Sequence, residues 1–153
     1  MPGVDWRLLK AQCYQESLLD PLAVSHAGAV GLCQFMPGTW GDARRALGWF
    51  ADASPYDPNL SITAAAWYMG RLRGIWTSKR PDEDRHKLAL ACYNAGCGHI
   101  LKAQKICLRT GPARLYDEIV PPCLPSVTGQ HSAETLTYVY RIMHRWYPEL
   151  LLL

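Results

Sequence analysis

The sequence lacks several features that mark common functional classes. No apolar run approaches the roughly 18–20 residues that a transmembrane helix needs, and residues 1–12 lack the apolar core of a secretory signal. No four Lys or Arg residues stand together, which argues against a nucleic-acid-binding surface. There is also no Gly-x-Ser-x-Gly elbow, phosphate-binding loop or HExxH motif. If Met1 is the natural start, we expect a chain made in the cytoplasm without its own export signal and without membrane insertion.

The composition that remains predicts one globular domain over residues 1–153, and we expect a monomer. Apolar residues make 49% and charged residues 19% of the chain, so a disordered chain is excluded. The net charge of +3 favours approach to an anionic polymer such as a bacterial wall. Six Trp and eight Tyr against two Phe favour rings with a polar edge, which pack in a core or stack on a sugar.

Helical patterns separated by turn-rich loops predict a mainly α domain with at most a small β hairpin, placed within residues 21–37. In the first predicted helix, the spacing of Trp6, Leu9, Cys13 and Glu16 puts all four on one face toward the core. An irregular connection is predicted between Pro121 and Ser132. The predicted helices are Asp5–Leu19 (with Asp5 as N-cap and Pro21 as the stop), Thr39–Leu47 (capped by Thr39), Asn59 or Ser61 to Ile75, Pro81–Asn94, His99–Leu108 and Ser132–Trp146.

The six cysteines allow fifteen complete pairings, and the sequence does not choose among them. Cys13, Cys33 and Cys92 lie within apolar patterns, so we expect them to act as small hydrophobic residues. The other three are better disulfide candidates, and at least one bridge is expected among Cys97, Cys107 and Cys123 if the protein works outside the cytoplasm. Cys92, Cys97, His99 and Cys107 match no standard zinc spacing, so no metal site and no cofactor are predicted.

The stretch Gln15–Trp40 contains the most informative residue, Glu16, at the end of a helix and before a nearly uncharged loop. Partial burial would raise the pKa of this carboxyl group, which suits a proton donor near neutral pH. A surface glutamate at a helix end is the alternative interpretation. A single acid beside hydrogen-bonding and aromatic residues is typical of a carbohydrate-cleaving site.

Three ordered motifs in this sequence resemble those of soluble lytic transglycosylase domains. The first is Gln15-Glu16-Ser17 with Pro21, Ala23, Ser25, Gly28-Ala29, Gly31-Leu32, Gln34, Met36-Pro37 and Thr39. The second is Ala91-Cys92-Tyr93-Asn94-Ala95-Gly96. The third is Glu134-Thr135 with Tyr138-Val139, and a weaker match lies at Tyr56-Asp57-Pro58-Asn59. Together they cover about residues 5–146.

This resemblance implies a lysozyme-like α+β fold with a glycan-binding groove, and cleavage of the β-1,4 bond between N-acetylmuramic acid and N-acetylglucosamine in peptidoglycan strands. Glu16 would protonate the leaving oxygen and then act as base on the muramoyl 6-hydroxyl, which gives a 1,6-anhydro end. No second carboxylate is then required, whereas ordinary glycosidases usually need two.

The resemblance also implies a set of substrate-binding residues. Ser25 would form a hydrogen bond near the acid or the sugar, and the others would line the groove. Asn94 could instead hold backbone, and Met36 or Tyr138 could be core residues. The predicted set is Ser25, Gln34, Met36, Tyr93, Asn94, Glu134 and Tyr138.

Departures from the family pattern leave alternatives open. Cys13 and Cys33 replace larger apolar residues, which we interpret as a packing change. The Pro-rich stretch Pro121–Ser132 is expected to reshape one end of the groove.

The setting suggested is a phage-encoded lysin, released by a pore-forming partner or carried in a virion, that acts on the bacterial wall. The rivals are a hydrolytic muramidase in which Asp42 or another acid positions water, and a non-catalytic wall-binding or virion structural module.

Overall fold

The computed structural model describes residues 4–152, which are mainly helical, as the sequence predicts. No β-strand forms in this range; two isolated antiparallel bridges, Val24 with Val30 and Val30 with Phe35, take the place of the predicted hairpin. None of the helices described has both the length and the apolar character to cross a membrane. The helices are α1 (Trp6–Ser17), α2 (Pro37–Ala46), α3 (Pro58–Ile75), α4 (Asp82–Ala95), α5 (Cys97–Cys107), α6 (Tyr116–Cys123), α7 (Pro125–Thr128), α8 (Ser132–Arg141) and α9 (Tyr147–Leu151), with a 3-10 turn at Gly129–His131 and a π-helical turn at Ile142–Trp146.

The described chain divides into two compact units. Unit 1 comprises residues 4–68 and 144–152, and unit 2 comprises Met69–Met143. In unit 1, α1 packs against α9, and in unit 2, α4 packs against α5, α6 and α8. The expectation of one domain over residues 1–153 stays a prediction.

Helix α1 begins where the sequence predicts and ends slightly earlier. The Asp5 carboxylate accepts a hydrogen bond from the Arg7 backbone N–H at 2.9 Å, which lowers the pKa of Asp5 and caps the helix. The helix ends because Leu18 adopts a left-handed conformation, not because of Pro21. Trp6 was expected in the core-facing stripe but is 63% exposed, since it begins the helix and lies beside Arg7 and Lys10.

The next two helices begin earlier than predicted. Helix α2 starts at Pro37, whose fixed φ suits the first helical turn, so Met36 is the N-cap residue and Thr39 is not. Helix α3 starts at Pro58 because the Asp57 carboxylate accepts from the backbone N–H groups that follow it. Both helices therefore begin at a proline and not at the caps chosen from the sequence.

The predicted irregular connection from Pro121 to Ser132 is mostly helical. Glu118 accepts from the N–H groups of Arg114 and Leu115 at the start of α6, which favours a helix there. The helix then continues through its two prolines, and the Leu124 N–H donates to the Val120 carbonyl at 3.1 Å. Similarly, the last helical segment does not stop at Trp146, since Pro148 lies in the first turn of α9 and is tolerated there.

All six cysteines form disulfides: Cys13–Cys33, Cys92–Cys97 and Cys107–Cys123. The bridge between Cys107 and Cys123 confirms that at least one forms among the three predicted candidates. The assignment of Cys13, Cys33 and Cys92 as small hydrophobic residues was wrong, because an apolar pattern indicates burial but does not distinguish a buried thiol from a buried half-cystine. The replacement at positions 13 and 33 is therefore a cross-link and not only a packing change.

Candidate functional site

Glu16 is the penultimate residue of α1 and is partly buried. The chain turns immediately after it, because Leu18 and Leu19 have φ values of 57° and 64°. Two successive non-glycine residues in the left-handed region are uncommon and require support from their surroundings. The helix end therefore holds the carboxyl group at a sharp change of chain direction.

The loop that follows is attached to α1 at two points. The Ser17 hydroxyl donates to the Leu32 carbonyl at 2.7 Å, and the Cys13–Cys33 disulfide lies beside this bond with its Cα atoms 4.5 Å apart. The Cys33 backbone N–H also donates to the Ser61 hydroxyl of α3 at 3.3 Å. Residues 31–33 are thus fixed relative to the helix end that carries Glu16.

Two predicted substrate-binding residues hold this loop together. The Ser25 hydroxyl accepts from the Ala29 N–H at 2.9 Å. The Gln34 side-chain amide donates to the carbonyls of Gly31 and Ala23, at 2.9 and 3.2 Å, from a backbone with φ of 54°. Their side chains therefore maintain the shape of the loop, and contact with a ligand remains a prediction for both.

Gly31 has to be glycine for a steric reason. Its φ is +78°, and a Cβ atom at this position would lie 2.2 Å from the Pro55 carbonyl oxygen. The Gly31 N–H donates to the Ala23 carbonyl at 2.9 Å, which closes the turn. Met36, which follows the loop, is 46% exposed, so its side chain is available to a ligand.

In unit 2, the structure brings Asn94 and Glu134 to one cavity of about 370 Å³. Asn94 lies at the end of α4, and Glu134 lies in the first turn of α8. Tyr93 is partly buried, whereas Tyr138 is 5% exposed and is not among the residues that line the cavity. The cavity is lined by Asn94, Ala95, His99, Val127, Thr128, His131, Glu134 and Thr135.

The predicted substrate-binding set contains only two of the eight residues that line this cavity, Asn94 and Glu134. Val127, Thr128 and His131 come from the Pro-rich segment and line this cavity, and the reshaping of one end of a glycan groove by this segment stays a prediction. The Thr135 hydroxyl donates to Asn94 Oδ1 at 2.8 Å across 41 residues of sequence. Thr135 directly follows Glu134 in the third motif, and that position was the sequence signal that could have identified it.

Other candidate groups give less support to alternative chemistry. Asp42, considered as a second acid, is largely exposed and forms an ion pair with Arg45. Within residues 4–152, no three His, Cys, Asp or Glu side chains are grouped so as to hold a metal ion. Buried His86 has a pKa lowered to about 4 by burial and by nearby Arg73.

Comparison with protein families gives one match that covers most of the chain. The model of the transglycosylase SLT domain matches residues 1–110. Among curated proteins, the chain is 40% identical over 136 residues to the membrane-bound lytic murein transglycosylase F of Alcanivorax borkumensis. It is 35% identical over 146 residues to the protein of the same name from Citrobacter koseri.

These similarities cover most of this chain but only part of the relatives. They span 89% and 94% of this chain, and only 28% and 27% of the two curated proteins. Among solved structures, an inactive mutant of the lytic transglycosylase Slt from Pseudomonas aeruginosa superposes with a TM-score of 0.71 at 22% identity, and the 70 kDa soluble lytic transglycosylase from Escherichia coli with 0.65 at 23%. Each match covers 97% of this chain and 22% of the other, and shows a shared fold.

Proposed function

Because the chain belongs to the transglycosylase SLT domain family, we propose that it is a lytic transglycosylase that cleaves the glycan strands of peptidoglycan. The observation that carries the proposal is the placement of Glu16 at the end of α1, beside a loop fixed by the Ser17–Leu32 hydrogen bond and the Cys13–Cys33 disulfide. A general acid contributes to catalysis only if its position relative to the scissile bond is maintained, and these contacts supply a rigid support. The names of the curated relatives agree with this activity.

In the proposed reaction, Glu16 is the single general acid and base. Its carboxyl group gives a proton to the oxygen of the β-1,4 bond between N-acetylmuramic acid and N-acetylglucosamine, and that bond breaks. The resulting carboxylate then takes the proton of the muramoyl 6-hydroxyl, whose oxygen bonds to the anomeric carbon of the same sugar. No water is consumed, so the products are a 1,6-anhydro end and a free N-acetylglucosamine 4-hydroxyl.

The alternative of a hydrolytic muramidase requires a second acid or an equivalent group to activate water. Asp42 is the candidate for this second acid, but it is largely exposed and forms an ion pair with Arg45. An internal hydroxyl of the substrate does not need such a residue. This difference favours the transglycosylase reaction over hydrolysis.

The test is mass spectrometry of peptidoglycan digested with the wild type, Glu16→Gln and the control Glu83→Gln. Glu83 is exposed and pairs with Lys87 in the first turn of α4, so the control makes the same chemical change on a surface. We expect wild type and control to give anhydro ends, which are lighter than reducing ends by one water molecule. Glu16→Gln should lower the rate by about two to four orders of magnitude.

The outcomes distinguish a transglycosylase from a hydrolase and from a non-catalytic wall-binding module. Reducing ends alone would support the hydrolase. Binding of glycan without any cleavage by the wild type would support a wall-binding module. Cleavage at an unchanged rate in Glu16→Gln would remove the acid from its proposed role.

The proposed setting is the bacterial wall, outside the reducing cytoplasm. The three disulfides support this location, because such bonds persist in oxidising compartments. Within this setting, we propose one catalytic domain acting as a monomer.

A narrower proposal is that the protein is a phage lysin released by a pore-forming partner. Expression of the protein in a bacterium with and without a pore-forming protein tests this release, and lysis is expected only when the two proteins are present together.

A further inference from the structure

Three nitrogen atoms that can only donate hydrogen bonds are buried in unit 2 without an acceptor from the described chain. They are Nε1 of Trp76, Nη1 of Arg80 and Nε of Arg85. Indole and guanidinium groups carry no acceptor atoms, so these donors cannot satisfy one another. Buried donors are nearly always paired in folded proteins, and an unpaired one costs free energy. Three in one region therefore indicate an acceptor that the protein itself does not supply.

The side chains that carry these donors lie close together. Trp76 directly follows α3, and the Arg80 guanidinium lies over its ring, 5.2 Å from the ring centroid. Arg85 lies on α4, and burial together with the charge of Arg85 lowers the pKa of Arg80. Trp76 is 2% exposed, whereas Arg80 and Arg85 are partly exposed. The two arginines therefore reach solvent beside a buried indole.

A third arginine, Arg114, is brought to the same place by a contact between distant parts of the chain. The Tyr116 backbone N–H donates to Asp84 Oδ1 at 2.9 Å across 32 residues of sequence. This bond holds the start of α6 against α4, beside Arg85. Arg114 precedes α6 by two residues, and its charge also lowers the pKa of Arg80. Arg80, Arg85 and Arg114, which we call the arginine cluster, thus come from three segments of unit 2.

The carboxylates near the arginine cluster have other hydrogen-bond partners. Asp84 attracts the charge of Arg80, but its Oδ1 atom accepts from the backbone at the start of α6. Glu118 lies near Arg114, and its Oε2 atom accepts from two backbone N–H groups just before α6. Within residues 4–152, neither acid forms an ion pair with the arginine cluster. The guanidinium donors therefore remain available to an acceptor from outside the chain.

Three guanidinium groups against two engaged carboxylates favour a negatively charged ligand with several oxygen atoms. A carboxylate has two oxygens, whereas a phosphate group offers enough oxygens for donors from three separate side chains. We propose that the arginine cluster, beside the Trp76 ring, is a binding site for a phosphate group. Arg80 is its central residue, because it contacts Trp76 and interacts with both other arginines. The site uses no residue of the proposed reaction and is a function additional to it.

The experiment follows the indole N–H signal of Trp76 by 1H–15N NMR while the full chain is titrated with sodium phosphate at constant ionic strength. Trp76→Phe identifies this signal among those of the six tryptophans. We expect a saturable shift, and sodium acetate should bind at least about tenfold more weakly. Arg80→Gln should weaken phosphate binding roughly tenfold or more, and Arg114→Gln roughly threefold or more, through lost charge-assisted hydrogen bonds.

Two phosphate compounds distinguish the source of the bound group. Dimethyl phosphate carries the diester found in a phosphate-linked polymer, whereas inorganic phosphate carries no ester. Tighter binding of dimethyl phosphate would support the site and assign it to such a polymer. Tighter binding of inorganic phosphate would support the site and assign it to the free ion.

Two variants control for the loss of a positive charge elsewhere. Lys79→Gln and Arg109→Gln make this change at exposed positions and should leave the affinity for phosphate unchanged. Arg114 is itself exposed, so Arg114→Gln tests the site even if Arg80→Gln fails to fold.

Three results would each overturn the proposal: no saturable shift with either phosphate compound, equal affinity for acetate and phosphate, or an unchanged affinity in Arg114→Gln. Because the titration involves no cleavage, these results do not depend on whether the wild type makes anhydro ends. Phosphate binding in a protein without lytic activity would support this inference and contradict the proposed function. Lytic activity in a protein that does not bind phosphate would do the reverse.

Discussion

The hydroxyl group of Ser17 lies 2.7 Å from the carbonyl oxygen of Leu32 and donates a hydrogen bond to it. Ser17 directly follows Glu16, and Leu32 directly precedes the half-cystine Cys33, which is bonded to Cys13 of the same helix. The bond therefore connects the proposed catalytic end of α1 to the loop motif. A polar side chain and a covalent bridge maintain the same junction.

Removal of this hydroxyl group should affect activity more than stability. We expect Ser17→Ala to lower the free energy of unfolding by about 1 kcal/mol, since one partly buried hydrogen bond is lost. Peptidoglycan cleavage should fall severalfold, because the helix end that carries Glu16 loses one of its supports. Ser78→Ala, a change at an exposed position, is the control. Denaturant unfolding and turbidity assays measure both effects, and unchanged cleavage in Ser17→Ala would contradict the positioning role.

A pair of glycines in the same loop gives a matched comparison. Both have positive φ, but a Cβ atom at Gly28 would meet nothing within 4 Å, whereas at Gly31 it would meet the Pro55 carbonyl oxygen. Gly28→Ala should lower the free energy of unfolding by about 1–2 kcal/mol, through backbone strain alone. Gly31→Ala should lower it by about 1–3 kcal/mol more than Gly28→Ala does, because the loop also has to move away from the new Cβ atom. Thermal unfolding of both variants checks the order, and equal losses would show that the contact does not matter.

Replacement of both Cys13 and Cys33 by serine tests the cross-link between α1 and the loop. The bridge spans 20 residues of sequence, and a loop of this size contributes about 3 kcal/mol when it is closed. We expect a loss of that order in the free energy of unfolding, together with reduced cleavage. Mass spectrometry of the denatured, unreduced wild type should find no free thiol. Detection of six free thiols in oxidised protein would contradict all three bridges.

His86 makes stability depend on pH. It is buried on α4, Arg73 donates to its Nδ1 atom, and its pKa is lowered from 6.5 to about 4. Between these values the unfolded chain binds a proton that the folded chain does not, so the free energy of unfolding falls as pH falls from about 6.5 to 4. The expected slope approaches 1.4 kcal/mol per pH unit.

The variant His86→Gln should flatten this slope even if its stability at neutral pH is lower. Denaturant unfolding at half-unit pH steps compares the slopes of the two proteins. His26→Gln, at an exposed loop position, should keep the wild-type slope. A wild-type slope in His86→Gln would assign the pH dependence to another group.

The sequence predicted local features well where one segment determines them. The Asp5 cap, the end of α1 near Glu16 and the helix around Asn94 follow from spacing and from neighbouring residues. Prediction from the sequence failed where a residue's role depends on a contact with a residue far away in the chain. Nothing near Cys13 indicates that Cys33 lies beside it, and nothing near Asn94 indicates that Thr135 engages its carbonyl oxygen.

Proline was the other source of error. Pro121 and Pro122 were interpreted as breaking a helix, which is the usual effect of proline in a helix interior. Here α6 continues past them, and α4, α5, α7 and α8 pack beside it, so tertiary packing outweighs the local preference. Pro37 and Pro58, in contrast, lie at first helical turns, where proline favours the helix, and the caps were placed too late.

The pairing of the cysteines also has a consequence for how the oxidised chain is made. The three bridges span 20, 5 and 16 residues of sequence, and each closes within one compact unit. Short loops carry a small entropic cost of closure, so each native pair meets often as soon as its own unit collapses. Of the fifteen possible arrangements, the native one therefore closes only loops of 20 residues or fewer, each within a single unit, so that each unit can form its own bridges without the other.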